Sequence, residues 1–378
     1  MVSSAISYRW YSWGHQGRCS GIRDCRYPVF SRDYAAATPL LSLRHLAACA
    51  NVSYGFLRRI VTRQLVSAYS QFVIVGRSGK RRHISTPTRD LLTAQRWIVQ
   101  NVLAHLQVGP NSFAYAKGSS IVQCAKIHCA SRWLLKYDVR DFFSSIDERR
   151  VYGLFIAVGY RPLVAFELAR ICTWPIAIHD WGSGASQRRR ERGANYAHAA
   201  LGSLPIGAPT SPMLSNCYMA PFDSAMSRYC AARGLVYSRY ADDFFVSSQD
   251  HGFRRSCAAD LSRFVGDQLS VLFLSENGAK RKIVPPGARK IVLGLLVDGP
   301  EPRLAPEFKK RLRMHYHFLE RFGPARHKAA RSFPSVPMLE RHLRGLVAFA
   351  TQVEPVYGEG MHELHARVPW AFVAQPRV

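Results

Sequence analysis

Apolar residues recur at helical spacing from Leu41 to Arg63, in two short runs on either side of Asn51-Val52-Ser53. Two helices are expected there, the second capped by Ser53. They could form a DNA-reading pair, but a structural lead-in is the expected role. Phe72-Val73-Ile74-Val75 reads as a strand, Arg77 to Lys80 as a turn, and Arg81 to Ser85 as the return strand ended by Pro87. Leu91 to His105 goes back to the helical period. Trp133 to Val139 is a mostly apolar strand that reaches Asp138. Trp174 to Gly202, rich in Gly, Ser and Arg, reads as an insertion. Ser211-Pro212 opens a helix, with Ser211 as cap and Pro212 in the first turn. Its face through Leu214, Tyr218 and Met219 is expected to pack beneath a sheet, and Pro221 to kink or split it. Gly234 precedes a strand over Leu235–Tyr240. A second strand follows at Phe244, so a tight hairpin carries Asp242 and Asp243 at its tip. Val292 to Val297 is strand-like. Pro306–Arg321 and Met338–Val353 then show amphipathic helical spacing with many cations. The alternation of helices and hairpins predicts an α+β chain.

Composition adds a partner to this outline. Among 378 residues, 52 are Lys or Arg and 25 are Asp or Glu, a formal charge of +27. Such an excess opposes compaction, so folding does not explain it. It is the footprint of a polyanion binder, with nucleic acid the leading candidate. At 48% hydrophobic, the chain can bury a sizeable core. No apolar run is long enough to span a bilayer, so no membrane partner is expected. The cysteines are scattered: Cys19, Cys25 and His15 lack zinc spacing, and His128-Cys129 reads as packing. Without a disulfide framework, a reducing cytoplasm is the expected location. The acid-free stretch up to Arg23 superficially matches an organelle transit peptide.

The chemistry is carried by acids. Adjacent carboxylates at a strand turn repel each other and are costly to bury. An Asp-Asp pair in a turn is commonly a solvated loop tip. A third acid, Asp138, at the end of a distant apolar strand changes that picture. Carboxylates converging from separate strands suit hard divalent cations, and a two-metal phosphoryl-transfer site needs such convergence.

Tyr240-Ala241-Asp242-Asp243 resembles the YADD box of reverse transcriptases. Asp138-Val139-Arg140-Asp141-Phe142-Phe143-Ser144-Ser145-Ile146 resembles the palm box that precedes it in bacterial members. Leu204-Pro205-Ile206-Gly207-Ala208-Pro209-Thr210-Ser211-Pro212, continuing to Leu214-Ser215-Asn216, resembles their LPQGAPTSP…LSN segment. Order and rough spacing agree, and with weaker matches the resemblance covers most of the chain after about residue 41. The resemblance implies a right-hand polymerase: a basic N-terminal extension over 1–40, fingers over 41–130, a palm of antiparallel sheet plus helices over 131–300 with a basic insertion near 174–202, and a helical thumb over 301–378.

It also implies roles. Asp138 and Asp242 would hold two Mg²⁺ ions, Mn²⁺ being an alternative, with the Val139 carbonyl completing one site and Asp243 supporting. Arg81 and Arg82, with Asp141, Phe142, Phe143, Ile206, Gly207 and Lys280, would meet the incoming nucleotide; Lys282 competes with Lys280. Phe143 would exclude a 2′-hydroxyl by steric clash, although packing alone would also explain it. Lys80, the Arg188-Arg189-Arg190 run, Tyr240, Arg341 and Arg344 would contact nucleic acid. So would Ser112 to Ser120, whose interleaved aromatic and basic residues suit a single-strand path, though an ordinary turn reads equally well. The expected partners are dNTPs, a structured non-coding RNA as template and primer, the cDNA product, and an effector protein in anti-phage defence.

The match has departures. Ile206 stands where the family usually has Gln. Asn195-Tyr196-Ala197-His198 and Val292-Leu293-Gly294 only approximate the retron boxes, so a related defence reverse transcriptase fits nearly as well. The chain after Gly345 is short for the maturase and endonuclease regions of a group II intron protein, and no second acidic cluster suggests an RNase H domain. Protein-primed or untemplated synthesis is one alternative function. A catalytically silent RNA-binding protein is another, against which three intact acids argue.

Overall fold

The computed structural model describes residues 38–65, 67–76, 79, 81–106, 108–116, 118–175 and 201–370. The N-terminal extension, Lys80 and most of the basic insertion, including Arg188 to Arg190 and the 195–198 stretch, lie outside the described residues.

Helices α1 (Leu43–Cys49) and α2 (Tyr54–Val61) open the fold. The Ser53 hydroxyl accepts from the Phe56 amide, as expected of a cap. An antiparallel hairpin, β1 (Tyr69–Val75) and β2 (Arg81–Pro87), pairs Val75 with Arg81. Helix α3 (Arg89–Asn101) and the short α4 (Ile121–Lys126) follow.

The centre is a four-stranded antiparallel sheet in the order β4-β5-β3-β6. Its strands are β3 (Trp133–Asp138), β4 (Val236–Tyr240), β5 (Asp243–Ser248) and β6 (Lys282–Val284). Both faces are covered, which is why β3 and β5 read as nearly continuous apolar runs. Leu135, Tyr137, Phe244 and Val246 enter the main core. Leu134 and Phe245 enter a second core shared with the C-terminal helices. Tyr137 and Phe244 stack at 5.0 Å across the ladder. His128 lies in that second layer, fully buried, its ring nitrogens 2.7 Å from the hydroxyls of Ser247 and Ser238. Burial pushes its pKa down to about 3, so it is a neutral packing residue.

Around the sheet lie α5 (Phe142–Ser145), α6 (Glu148–Ala157), α7 (Pro162–Cys172), α8 (Ser211–Ala231) and α9 (Arg255–Val271). Leu214, Tyr218 and Met219 of α8 are buried against the sheet as expected. Two expectations fail here. Thr210, not Ser211, occupies the cap position, and the Ser211 hydroxyl instead donates to the Pro205 carbonyl. Helix α8 is also not split at Pro221 but continues through it. Neighbouring packing along its buried face outweighs the lost hydrogen bond.

The run at Val292 is not one strand. Leu293 and Gly294 both take positive φ, 49° and 87°, and fold it into a two-residue hairpin between β7 (Ile291–Val292) and β8 (Leu295–Leu296), with β9 (Arg303–Leu304) alongside. Primed turns of this kind match strand twist. Three helices close the chain: α10 (Pro306–Ala330), α11 (Val336–Val353) and α12 (Pro355–Arg367). Helix α12 was not anticipated from the sequence.

A buried ionic cluster ties this architecture together. Arg63 donates to Glu148 at 2.7 Å, and Arg170 lies 2.5 Å from its other oxygen. The Gly202 amide also donates to Glu148, so the segments on both sides of the insertion are fixed to the same carboxylate. Glu148→Ala leaves two buried guanidinium groups uncompensated. The expected loss in stability is about 3–5 kcal/mol, read as a lower urea midpoint at unchanged slope.

Candidate active site

The acids meet because of strand register. Asp138 is the last residue of β3 and pairs directly with Asp243, the first of β5. Cross-strand partners project to the same face, so both carboxylates leave the sheet together. Asp242 sits in the intervening turn, where its carbonyl accepts from the Val139 amide at 3.0 Å. The preceding Ala241 holds a left-handed φ of 58°.

That turn rests on Arg239, a fully buried arginine. Arg239 donates to both carboxylate oxygens of Asp223, at 2.8 and 2.6 Å. It also donates to the Asn216 side chain, to Ser112 and to the Ala241 carbonyl at 3.1 Å. Asp223 also accepts from the Tyr237 hydroxyl at 2.7 Å. The segment at Asn111–Phe113 lies along β4, with the Phe113 amide donating to the Arg239 carbonyl at 2.8 Å. It leads to the exposed Tyr115, whose pKa is raised by burial and by the nearby Asp242 charge.

Each strand acid has a lysine. Lys136 lies 2.8 Å from Asp243, and the Lys280 ammonium hydrogen-bonds Asp138. Burial alone would lower the pKa of Lys280; the hydrogen bond it donates to Asp138 and the charges of all three acids raise it overall. Asn277 donates to the other Asp138 oxygen at 3.1 Å. Of the two lysines expected near the nucleotide, Lys280 is the one bonded to Asp138; Lys282 is exposed on β6 and pairs with Lys136 of β3. The Asp242 pKa is raised by burial first, and then by the charges of Asp243 and Asp138.

Among the described residues, no group of three or more Asp, Glu, His or Cys side chains is placed to hold a metal ion by itself. A hard cation that takes one or two carboxylates plus substrate phosphates does not need one. The donors present, carboxylate oxygens and the Val139 carbonyl on adjacent strands, are of the right kind, and the repulsion recorded at Asp242 is what a cation would relieve.

Several other expected residues lie close by. Asp141 is exposed, with φ 44°, and opens α5. Phe143 is half-buried beside it. Phe142 is only 4% exposed and packs in the core, the role its sequence position also allowed. Gly207 has φ 114°, and a Cβ there would stand 2.9 Å from the Ser85 carbonyl oxygen. The close approach it permits is therefore to strand β2, where the Ser85 amide donates to Ile206 at 2.7 Å. Ile206 is 40% exposed and offers no donor from its side chain. Arg81 and Arg82 are exposed and make no ion pair with the three acids. Tyr240 packs against the second core. Arg341 and Arg344 lie on the solvent face of α11, far along the chain from the acids, with Arg344 3.7 Å from Glu340. Sequence reasoning passed over Lys136, Asn277, Arg239 and Asp223; the one available signal was an arginine inside an otherwise apolar strand.

Residues 74–285 match the family described as reverse transcriptase (RNA-dependent DNA polymerase), more than half of the chain. The chain belongs to the reverse transcriptase family. Its relatives are of retron type. It is 30% identical to the retron Mx65 reverse transcriptase of Myxococcus xanthus, over 83% of this chain and 69% of that one. Identity to the retron Ec86 reverse transcriptase of Escherichia coli is 26%, covering 75% and 80%. A Candida albicans telomerase structure superposes with a TM-score of 0.42 at 9% identity, over 82% of this chain and 67% of that one, and carries no weight in the assignment. The reverse transcriptase is thus an RNA-directed DNA polymerase of retron type, a nucleotidyltransferase with an RNA template. Its family uses divalent ions. No helix among its described residues is long and apolar enough to cross a membrane.

The raised Asp242 pKa has a consequence for stability. The folded state binds that proton more tightly than the unfolded chain, so ionisation costs stability as pH rises. In chelator, Asp242→Asn should therefore melt higher than the unsubstituted enzyme at pH 7. The gap should close as pH falls through the range where Asp242 takes up its proton, as followed by thermal denaturation.

Proposed function

We propose that Asp138, Asp242 and Asp243 form the polymerase centre, with Asp138, Asp242 and the Val139 carbonyl holding two Mg²⁺ ions. The observation that carries this reading is the register pairing of Asp138 with Asp243 beside the Asp242 turn. When bound, the ions lower the pKa of the primer 3′-hydroxyl and neutralise the triphosphate. The chain itself positions the groups for in-line transfer. Arg239 holds the turn that carries Asp242. Lys280 is released from Asp138 as the site fills and turns its charge to the leaving pyrophosphate. Arg81 and Arg82, at the turn end of the basic hairpin, hold the triphosphate by paired hydrogen bonds. Phe143 presses on the sugar and excludes the 2′-hydroxyl.

In this reading, residues 41–130 are fingers, 131–300 palm and 301–378 thumb. The cations at Lys80, Arg188 to Arg190, Arg341 and Arg344 grip RNA and product phosphates without reading sequence. The template is a dedicated structured RNA copied into a short cDNA in the bacterial cytoplasm, with an effector protein coupling the product to anti-phage defence. A second reading, untemplated or protein-primed synthesis, is favoured by one observation: Ile206 places an exposed aliphatic side chain where the family has an amide.

Asp242→Asn is expected to abolish dNTP incorporation while RNA binding, read by filter retention, stays near normal; undiminished synthesis would refute the assignment of the acids. Phe143→Ala should admit ribonucleotides into the product. Synthesis that persists after the RNA is digested away would move the conclusion to the second reading.

A further inference from the structure

We infer that the break in helix α10 forms a seat for one unpaired nucleotide of a single strand, separate from the polymerase centre. The inference rests on the chain's being a nucleic-acid binder and adds a place and a mode of contact. The helix breaks at Gly323, whose φ of 74° and ψ of 169° fall in a region open essentially only to glycine. Pro324 follows and cannot donate to the preceding turn. The residues on either side of the break line a cleft of about 300 Å³: Phe318 and Phe322 before it, and Arg326, His327, Ala330 and Arg331 after it.

The lining has the chemistry of base recognition. Phe318 lies nearly parallel to Phe322, with centroids 5.9 Å apart and planes 20° apart. It is nearly parallel to His327 on its other neighbour, at 6.0 Å and 12°. These offset rings form a ladder whose outer rung, Phe322, is 42% exposed. Arg321 already stacks over Phe322 at 5.4 Å. Arg326 and Arg331 are exposed at the rim, and Arg331 is steadied by the Met314 sulfur at 3.0 Å. From Phe308 to Leu339 there are eight lysines and arginines and a single acid, Glu320.

A plain packing ladder would bury its last ring. A plain phosphate grip would need no parallel aromatics. Rings for a base beside arginines for its phosphate are the combination by which proteins hold single strands. An acidic peptide would find the same charge, but it has no flat face to add to the ladder. The nucleotide can come from RNA or from the DNA product, which share this chemistry.

The test is photocrosslinking of the full-length enzyme to two 12-residue probes, one of 5-iodouridine-substituted RNA and one of 5-iododeoxyuridine-substituted DNA. Crosslinked peptides are mapped by mass spectrometry. The expected result is a crosslink within residues 318–331, with the RNA and DNA arms telling which strand the cleft takes. Phe322→Ala should lower the yield at that peptide about tenfold, and Phe322→Trp should restore it. Because Phe322 is partly exposed and lies at the outer end of the ladder, both variants are expected to fold, and a matching thermal melt checks this. Crosslinks confined to other peptides would overturn the seat while leaving RNA binding intact. So would an undiminished yield in Phe322→Ala. An enzyme that binds neither probe would overturn both the seat and the RNA reading, and a peptide that competes out the crosslink without displacing the probe would assign the cleft to protein.

Discussion

A buried guanidinium governs the geometry of this site. Arg239 is enclosed beneath the acid-bearing turn, and its donors are distributed among Asp223, Asn216, Ser112 and the Ala241 carbonyl. Enclosing a charge is tolerable only when its hydrogen-bonding capacity is met. Meeting it here requires α8, the segment before Tyr115 and β4 to be in place together. Ala241 would otherwise have little reason to hold its left-handed conformation. The main-chain path that presents Asp242 is thus a by-product of solvating an ion with protein.

The same logic extends outward from the sheet. The Glu148 cluster performs for the flanks what Arg239 performs for the centre. It binds Arg63, just after α2, Arg170 of α7 and the Gly202 amide to one carboxylate. Between the two clusters, the path from Asp141 through Ile146 to Leu204 is anchored at both ends. Phe143 lies on that path, and Gly207 follows three residues beyond its end.

Much of this was legible in the chain. The apolar runs of β3 and β5, separated by more than a hundred residues, marked both strands and the acids at their ends. Ser53 announced its helix. What escaped was either conformational or relational. Leu293 and Gly294 turn a strand-like run into a hairpin through φ values that composition does not display. Pro221 offered a kink or a split, yet packing along α8 carries the helix through it unsplit. Phe142 and Phe143 are the same residue type one position apart, and only the short α5 decides which faces inward. Lys136 and Asn277 are ordinary residues until register and loop closure bring them to Asp243 and Asp138, and nothing local in the chain signals that meeting.

The two lysines that neutralise the strand acids have a further implication. Ammonium groups on Asp138 and Asp243 give these two carboxylates counterions supplied by the chain itself, so the ends of β3 and β5 can lie side by side before any divalent cation arrives, and only Asp242 is left to wait for one.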